Sequence, residues 1–217
     1  MIPFNAVASI GQPKLLSRQD LVSIIIRLEF EGWGLARSRD RALNNSANET
    51  YMNGRLFQGM RDIRSSLKLT NMFLVEVPGV RSDEDLATPD REPDVILLFA
   101  EFGANEPHVV IECKRLDPEE ASRALRGEYV RSGVDRFISG AYGLGHDLDF
   151  MVGYLLRGDG AAAVADINAY LDNVGRQNCF LEDTAMFGQY GFVAASNHKR
   201  SIDGSRVRLL HSFLQFS

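Results

Sequence analysis

The strongest constraint on the fold is a pair of apolar runs, "DVILLFA" at 94–100 and "HVVIECK" at 108–114, joined by the short, turn-rich "EFGANEP". Each run is short, dense in branched and large apolar residues, and bounded by turn formers, so each reads as a strand. The connection is short enough to close a hairpin. A third strand-like run, "MFLVEV" at 72–77, precedes them across the acidic loop "PGVRSDEDLATPDREP".

Helical patterns flank these strands. In "RQDLVSIIIRLEFE", 18–31, Leu21, Ile24, Ile25 and Leu28 share one face, and the polar segment "RSRDRALNNSAN" follows. A second helix is expected from about Asn48 to Lys68. Its apolar stripe is Met52, Leu56, Met60, Ile63 and Leu67, beside a basic stripe of Arg61, Arg64 and Lys68. After the strands, a long helical region is expected from about 117 to 142, with Gly127, Gly133 and Gly140 as candidate breaks. Then come a strand at 150–156, a helix at 160–174, and late strands in "YGFVAAS" and "RVRLLHSFLQF". This order predicts an α/β fold, a mixed β-sheet flanked by helices. Its αβββαβ core spans about 48–156, with N- and C-terminal additions, in a single domain over 1–217.

Composition sets the outer limits. The chain has 217 residues, enough for a sizeable core, and is 45% hydrophobic and 24% charged, as a soluble globular protein is. No apolar run approaches the roughly 20 residues of a membrane helix. The start, "MIPFNAVASIGQPK", lacks the charged and apolar zones of a signal peptide. Only Cys113 and Cys179 are present, which argues against a disulfide framework or zinc cluster; the expected setting is a reducing cytoplasm. A net charge of −5 argues against non-specific coating of nucleic acid. It leaves room for a local basic groove around an acidic site.

The charged end of "HVVIECK" then needs an explanation. Strand side chains alternate, so Glu112 and Lys114 share one face while Ile111 and Cys113 share the other. Cys113 reads as a small buried hydrophobe whose carbonyl lies beside the acidic side chain. In a hairpin, Asp94 at the start of one strand lies near Glu112 and Lys114 at the end of the other. Two adjacent carboxylates repel unless a cation lies between them. Hard oxygen donors suit Mg²⁺, with Mn²⁺ as a substitute. The plainer alternative is a turn-capping Asp94 and an exposed Glu112–Lys114 pair.

Pro93–Asp94, followed one strand later by Glu112–Cys113–Lys114, resembles the PD-(D/E)XK signature of the restriction-endonuclease-like nuclease superfamily. The expected order of elements resembles that superfamily's core as well. The resemblance implies that Asp94 and Glu112 ligate Mg²⁺, with the Cys113 backbone carbonyl as a further ligand. It implies that Lys114 orients or helps deprotonate the attacking water and stabilises charge on the phosphate. It also implies a catalytic acidic residue on the helix before the first core strand, a further metal ligand, for which Glu49 is the candidate. Glu49 continues the stripe of Met52, Leu56 and Met60; it also fits a capping box in "SANE", 46–49. Glu29, Glu31 and Glu76 are weaker candidates.

Downstream, Arg123, Arg126 and Arg131 fall on one broad helical side with Arg136 beyond, and Tyr129, Phe137 and Tyr142 interleave with them. They read either as phosphate contacts or as an ordinary solvated face. The four histidines, His108, His146, His198 and His211, read as structural. There is no H-E-x-x-H and no Walker-type phosphate loop.

The expected function is a Mg²⁺-dependent endonuclease acting on DNA. The alternatives are a catalytically silent binding or assembly subunit of the same fold, and an unrelated α/β hydrolase. The resemblance further implies a protein partner that delivers substrate, as in defence or mobile-element systems. Symmetric double-strand cutting would call for a homodimer, and no membrane partner is expected.

Overall fold

In the computed structural model, the three consecutive apolar runs form β1 (Met72–Glu76), β2 (Val95–Phe99) and β3 (Val109–Leu116). The structure describes residues 18–69, 72–76, 94–99, 109–120, 124–143 and 145–216. β1, β2 and β3 pair antiparallel in succession, with Val95 opposite Ile111 and Ile96 opposite Val110. Extending that register by one residue places Asp94 opposite Glu112.

From β3 the chain crosses over through α3 (Ala124–Glu128), a π-helical turn (Tyr129–Val134) and α4 (Asp135–Ser139) into β4 (Leu148–Leu155). β4 lies parallel to β3, as a helical crossover requires. After α5 (Gly160–Asn173) come β5 (Glu182–Asp183), β6 (Val193–Lys199) and β7 (Arg206–Gln215). The result is one seven-stranded mixed sheet of order β1-β2-β3-β4-β7-β6-β5. Its parallel centre of β3, β4 and β7 is covered on both faces. That is why β4 is buried at seven of its eight positions instead of alternating.

Helices α1 (Arg18–Arg39) and α2 (Glu49–Ser66) cover one face of the sheet. Ile25, Leu28, Met52, Leu56 and Met60 pack there against Val95, Leu97, Ile111 and Cys113. The helices touch at Gly32 and Gly59, where a Cβ on Gly59 would lie 2.0 Å from the Gly32 carbonyl oxygen. On the other face, Tyr129, Val130, Phe137, Ile167 and Leu171 pack against Val110, Met151, Leu209 and Phe213.

Several boundaries differ from expectation. α1 continues to Arg39, because Trp33 and Ala36 keep its buried stripe going into the segment that looked polar. Gly127 and Gly133 do not break the crossover helix. The chain stays helical and widens into the π turn, where absence of a side chain at Gly133 lets it rest on Met151 and Lys114. Gly140, at φ 78°, ends α4 in the left-handed conformation that glycine tolerates.

Candidate active site

Four stretches of chain meet at the β3 end of the β2–β3 pair. Glu112 leaves β3 on the same face as Lys114, and its Oε1 lies 2.9 Å from Lys114 Nζ. Lys114 Nζ also lies 2.9 Å from Glu49 Oε1 and donates to the Cys113 carbonyl oxygen at 2.9 Å. Glu49 Oε2 accepts from the Arg115 backbone N–H at 3.2 Å. Asp94 Oδ2 accepts from the Cys113 backbone N–H at 2.7 Å. Cys113 is fully buried on the opposite face and belongs to the core.

Glu49 does not sit at the third position of a capping box. Asn48 is the cap, its side chain accepting from the Tyr51 N–H, and Glu49 is the first helical residue. The positive end of the helix favours a carboxylate at that position, and its side chain turns to Lys114 instead of back onto its own backbone.

Arg136 comes from α4, and its Nη1 lies 3.3 Å from Glu112 Oε1. The same nitrogen bonds the Tyr142 hydroxyl, and the guanidinium lies 5.3 Å from the Tyr142 ring centroid. The turn that carries Tyr142 is held by buried Arg200, which donates to the carbonyls of Phe137, Gly143 and His146. Arg200 Nη2 also lies 3.7 Å from the buried Asp149 carboxylate.

The electrostatics follow from three carboxylates sharing few cations in a poorly solvated place. Burial pushes Glu112 up to about 7, and Asp94 adds to this; Lys114 and Arg136 oppose it without cancelling it. Burial likewise raises Asp94, against the Lys114 charge and the Cys113 N–H. Burial pulls the Lys114 ammonium down, yet Glu112, Glu49 and Asp94 together leave it above the ordinary lysine value. The lysine is oversupplied with anions, and the carboxylates are undersupplied with cations. Glu112 is 1% exposed, and its Oε2 has no hydrogen-bond partner among the described residues.

Among the described residues, no three His, Cys, Asp or Glu side chains form a ready-made metal cage. The oxygens available at this end of β3 are those of Glu112, whose Oε2 has no partner among the described residues, the Asp94 carboxylate, and the Cys113 carbonyl, which already accepts from Lys114. This all-oxygen set fits a hard ion such as Mg²⁺, which keeps most of its waters and takes one or two carboxylates.

The other arginines stand elsewhere. Arg126 is buried and paired with Asp166 on α5, over the Tyr170 ring. Its guanidinium is thereby engaged on the α5 side of the crossover. Arg131 is exposed and donates to the Tyr170 hydroxyl. Among the described residues, neither pairs with Asp94, Glu112 or Glu49. Arg123, Pro93, His108 and the Glu76 side chain lie outside the described residues. Glu29 is buried against Ser212 on β7, and Glu31 pairs with Arg27, so neither joins the site.

Sequence reading missed Asn53. Its Nδ2 donates to Asp94 Oδ1 at 2.7 Å, and its Oδ1 accepts from the Tyr154 hydroxyl at 3.0 Å. Its signal was the i, i+4 spacing from Glu49, which puts both side chains on one face of α2.

No protein-family model matches this chain, and no curated protein or solved structure matches it. Among the described residues, no helix is long and apolar enough to cross a membrane.

Proposed function

We propose that this chain is a metal-dependent nuclease of the restriction-endonuclease-like fold that hydrolyses DNA phosphodiester bonds by water attack. The observation that carries this reading is the Glu112 carboxylate. It is 1% exposed and paired through Oε1 with Lys114, and its Oε2 is unpartnered among the described residues, on the face shared with Asp94. A buried carboxylate with a vacant oxygen costs stability. A ligand-binding role accounts for that cost.

A bound Mg²⁺ would supply Lewis-acid charge at the phosphate and lower the pKa of a water. Asp94, Glu112 and the Cys113 carbonyl would hold it. Lys114 stays an ammonium beside three carboxylates, so it acts as a fixed positive charge for the phosphate and orients the water; it is a poor proton acceptor. Glu49 restrains that ammonium from the helix side. Arg136, braced by Tyr142, brings a second cation to the same face, suited to a phosphate oxygen.

The test is cleavage of plasmid DNA with Mg²⁺ by wild type and by Lys114→Ala. Equal activity in the two proteins, or activity that survives excess EDTA, would sink the reading.

A second reading is a catalytically silent binding or assembly subunit. The observation favouring it is that Lys114 Nζ already bridges Glu49, Glu112 and the Cys113 carbonyl at 2.9 Å each. DNA or protein binding with no cleavage of any substrate would select it.

A further inference from the structure

We propose that Asn53 is the positioning residue for Asp94, and that the buried Tyr154 hydroxyl sets the Asn53 amide. The inference rests on the metal-site reading above and assigns two residues that reading does not use.

Asp94 stands just before β2, where a carboxylate has two side-chain torsions free to turn. Two donors from different elements remove that freedom. Oδ2 takes the Cys113 backbone N–H from β3, and Oδ1 takes Asn53 Nδ2 from α2, both at 2.7 Å. Each carboxylate oxygen keeps a lone pair beyond the one so used. The carboxylate is thus fixed in plane and still able to ligate.

Asn53 delivers an N–H only if its amide faces one way. The reverse orientation would set its carbonyl oxygen against Asp94 Oδ1, two acceptors with no proton between them. On the far side, Asn53 Oδ1 receives the Tyr154 O–H at 3.0 Å. Tyr154 is fully buried on β4, and its ring lies 5.0 Å from that of Trp33. Trp33 Nε1 in turn donates to the Gln215 carbonyl at 2.8 Å. The chain Tyr154–Asn53–Asp94 therefore ties a ligating oxygen to the rigid centre of the sheet. Asparagine is a poor residue for a helix interior, and this contact accounts for its place there.

The test is Mn²⁺ affinity by titration calorimetry on the full chain. It compares wild type, Asn53→Ala, Tyr154→Phe and the double variant, with the ion-free melting temperature of each. Asn53→Ala should weaken Mn²⁺ by roughly 10- to 100-fold, the usual effect of removing a group that orients a ligand. Tyr154→Phe should weaken it less. The double variant should be no weaker than Asn53→Ala alone, because Tyr154 acts through Asn53. With DNA, kcat should fall in Asn53→Ala while KM holds, since Asn53 restrains a ligand and not the nucleic acid. Asn53→Leu, which keeps the size and removes the donor, should repeat the Asn53→Ala loss and guards against a misfolded variant.

Wild-type Mn²⁺ affinity in both Asn53→Ala and Asn53→Leu would overturn the proposal, as would losses that multiply in the double variant. Wild type that binds no Mn²⁺ would instead overturn the metal-site reading beneath it.

Discussion

Lys114 Nζ lies 2.9 Å from Glu49 Oε1, tying the end of β3 to the first turn of α2. The ammonium occupies oxygens that a divalent ion would seek, so on the proposed function lysine and metal would compete for them. Lys114→Met, similar in length and uncharged, should bind Mn²⁺ roughly tenfold more tightly, about 1.4 kcal/mol. On the proposed function the same variant should cleave DNA about 100-fold more slowly or worse, having lost the charge assigned to the phosphate. Calorimetry and plasmid nicking measure the two effects separately, and the opposite signs are the diagnostic result.

On the proposed function, Glu112 sets stability against metal binding in one side chain. Burial holds its pKa near 7, above the ordinary 4.5, so its ionised form is less welcome in the fold than in water. Glu112→Gln keeps the shape and removes the charge. At pH 8 and without metal it should melt higher than wild type, by about 2–4 °C for each kcal/mol relieved. The further rise that Mn²⁺ gives wild type should be absent. Thermal melts with and without Mn²⁺ check both statements.

Glu29 carries a separate pH dependence. Burial pushes its pKa up to about 8 from the ordinary 4.5, and the Ser212 hydrogen bond only partly offsets this. Between those values the folded chain holds a proton that the unfolded chain has released. Stability therefore falls as pH rises through that window. Glu29→Gln should stay close to wild type near pH 5 and exceed it at pH 9, by on the order of 4 kcal/mol. Urea melts at the two pH values measure the gap.

The α1–α2 contact gives a steric prediction. A Cβ on Gly59 would lie 2.0 Å from the Gly32 carbonyl oxygen, whereas a Cβ on Gly34 would meet nothing within 4 Å. Gly59→Ala should cost about 2–4 kcal/mol, because helix backbones must separate. Gly34→Ala should add roughly 0.5–1 kcal/mol, since alanine has less freedom to lose in a helix. Denaturant midpoints distinguish the two signs.

Much of the central sheet was legible because strand alternation and hairpin register are local rules. "VVIECK" alone puts Cys113 on the face opposite Glu112 and Lys114, and the short gap to "DVILLFA" fixes their pairing. The late strands and α5 were legible for the same reason. What was hidden depends on contacts across layers. Nothing in "RSRDRALNN" announces that α1 runs to Arg39, because the Trp33 and Ala36 burial depends on elements far along the chain. Arginine spacing after the signature could not tell Arg136, which reaches Glu112, from Arg126, which turns to Asp166 on α5. A helical period gives a direction around an axis but not the identity of the neighbour. Asn53 was hidden because its partners, Asp94 and Tyr154, lie on two different strands.

The site is spread across remote parts of the chain. Glu49 and Lys114 are 65 positions apart, Asn53 and Asp94 are 41, and Arg136 and Glu112 are 24. No fragment contains it, and each of these contacts must await closure of a long loop during folding. Any chemistry performed here switches on only with the completed fold. On the proposed function, a nascent or partly unravelled chain would be inert, and an ion that binds only the assembled oxygens would add its binding energy to folding, about 2.7 kcal/mol at a hundredfold excess over Kd.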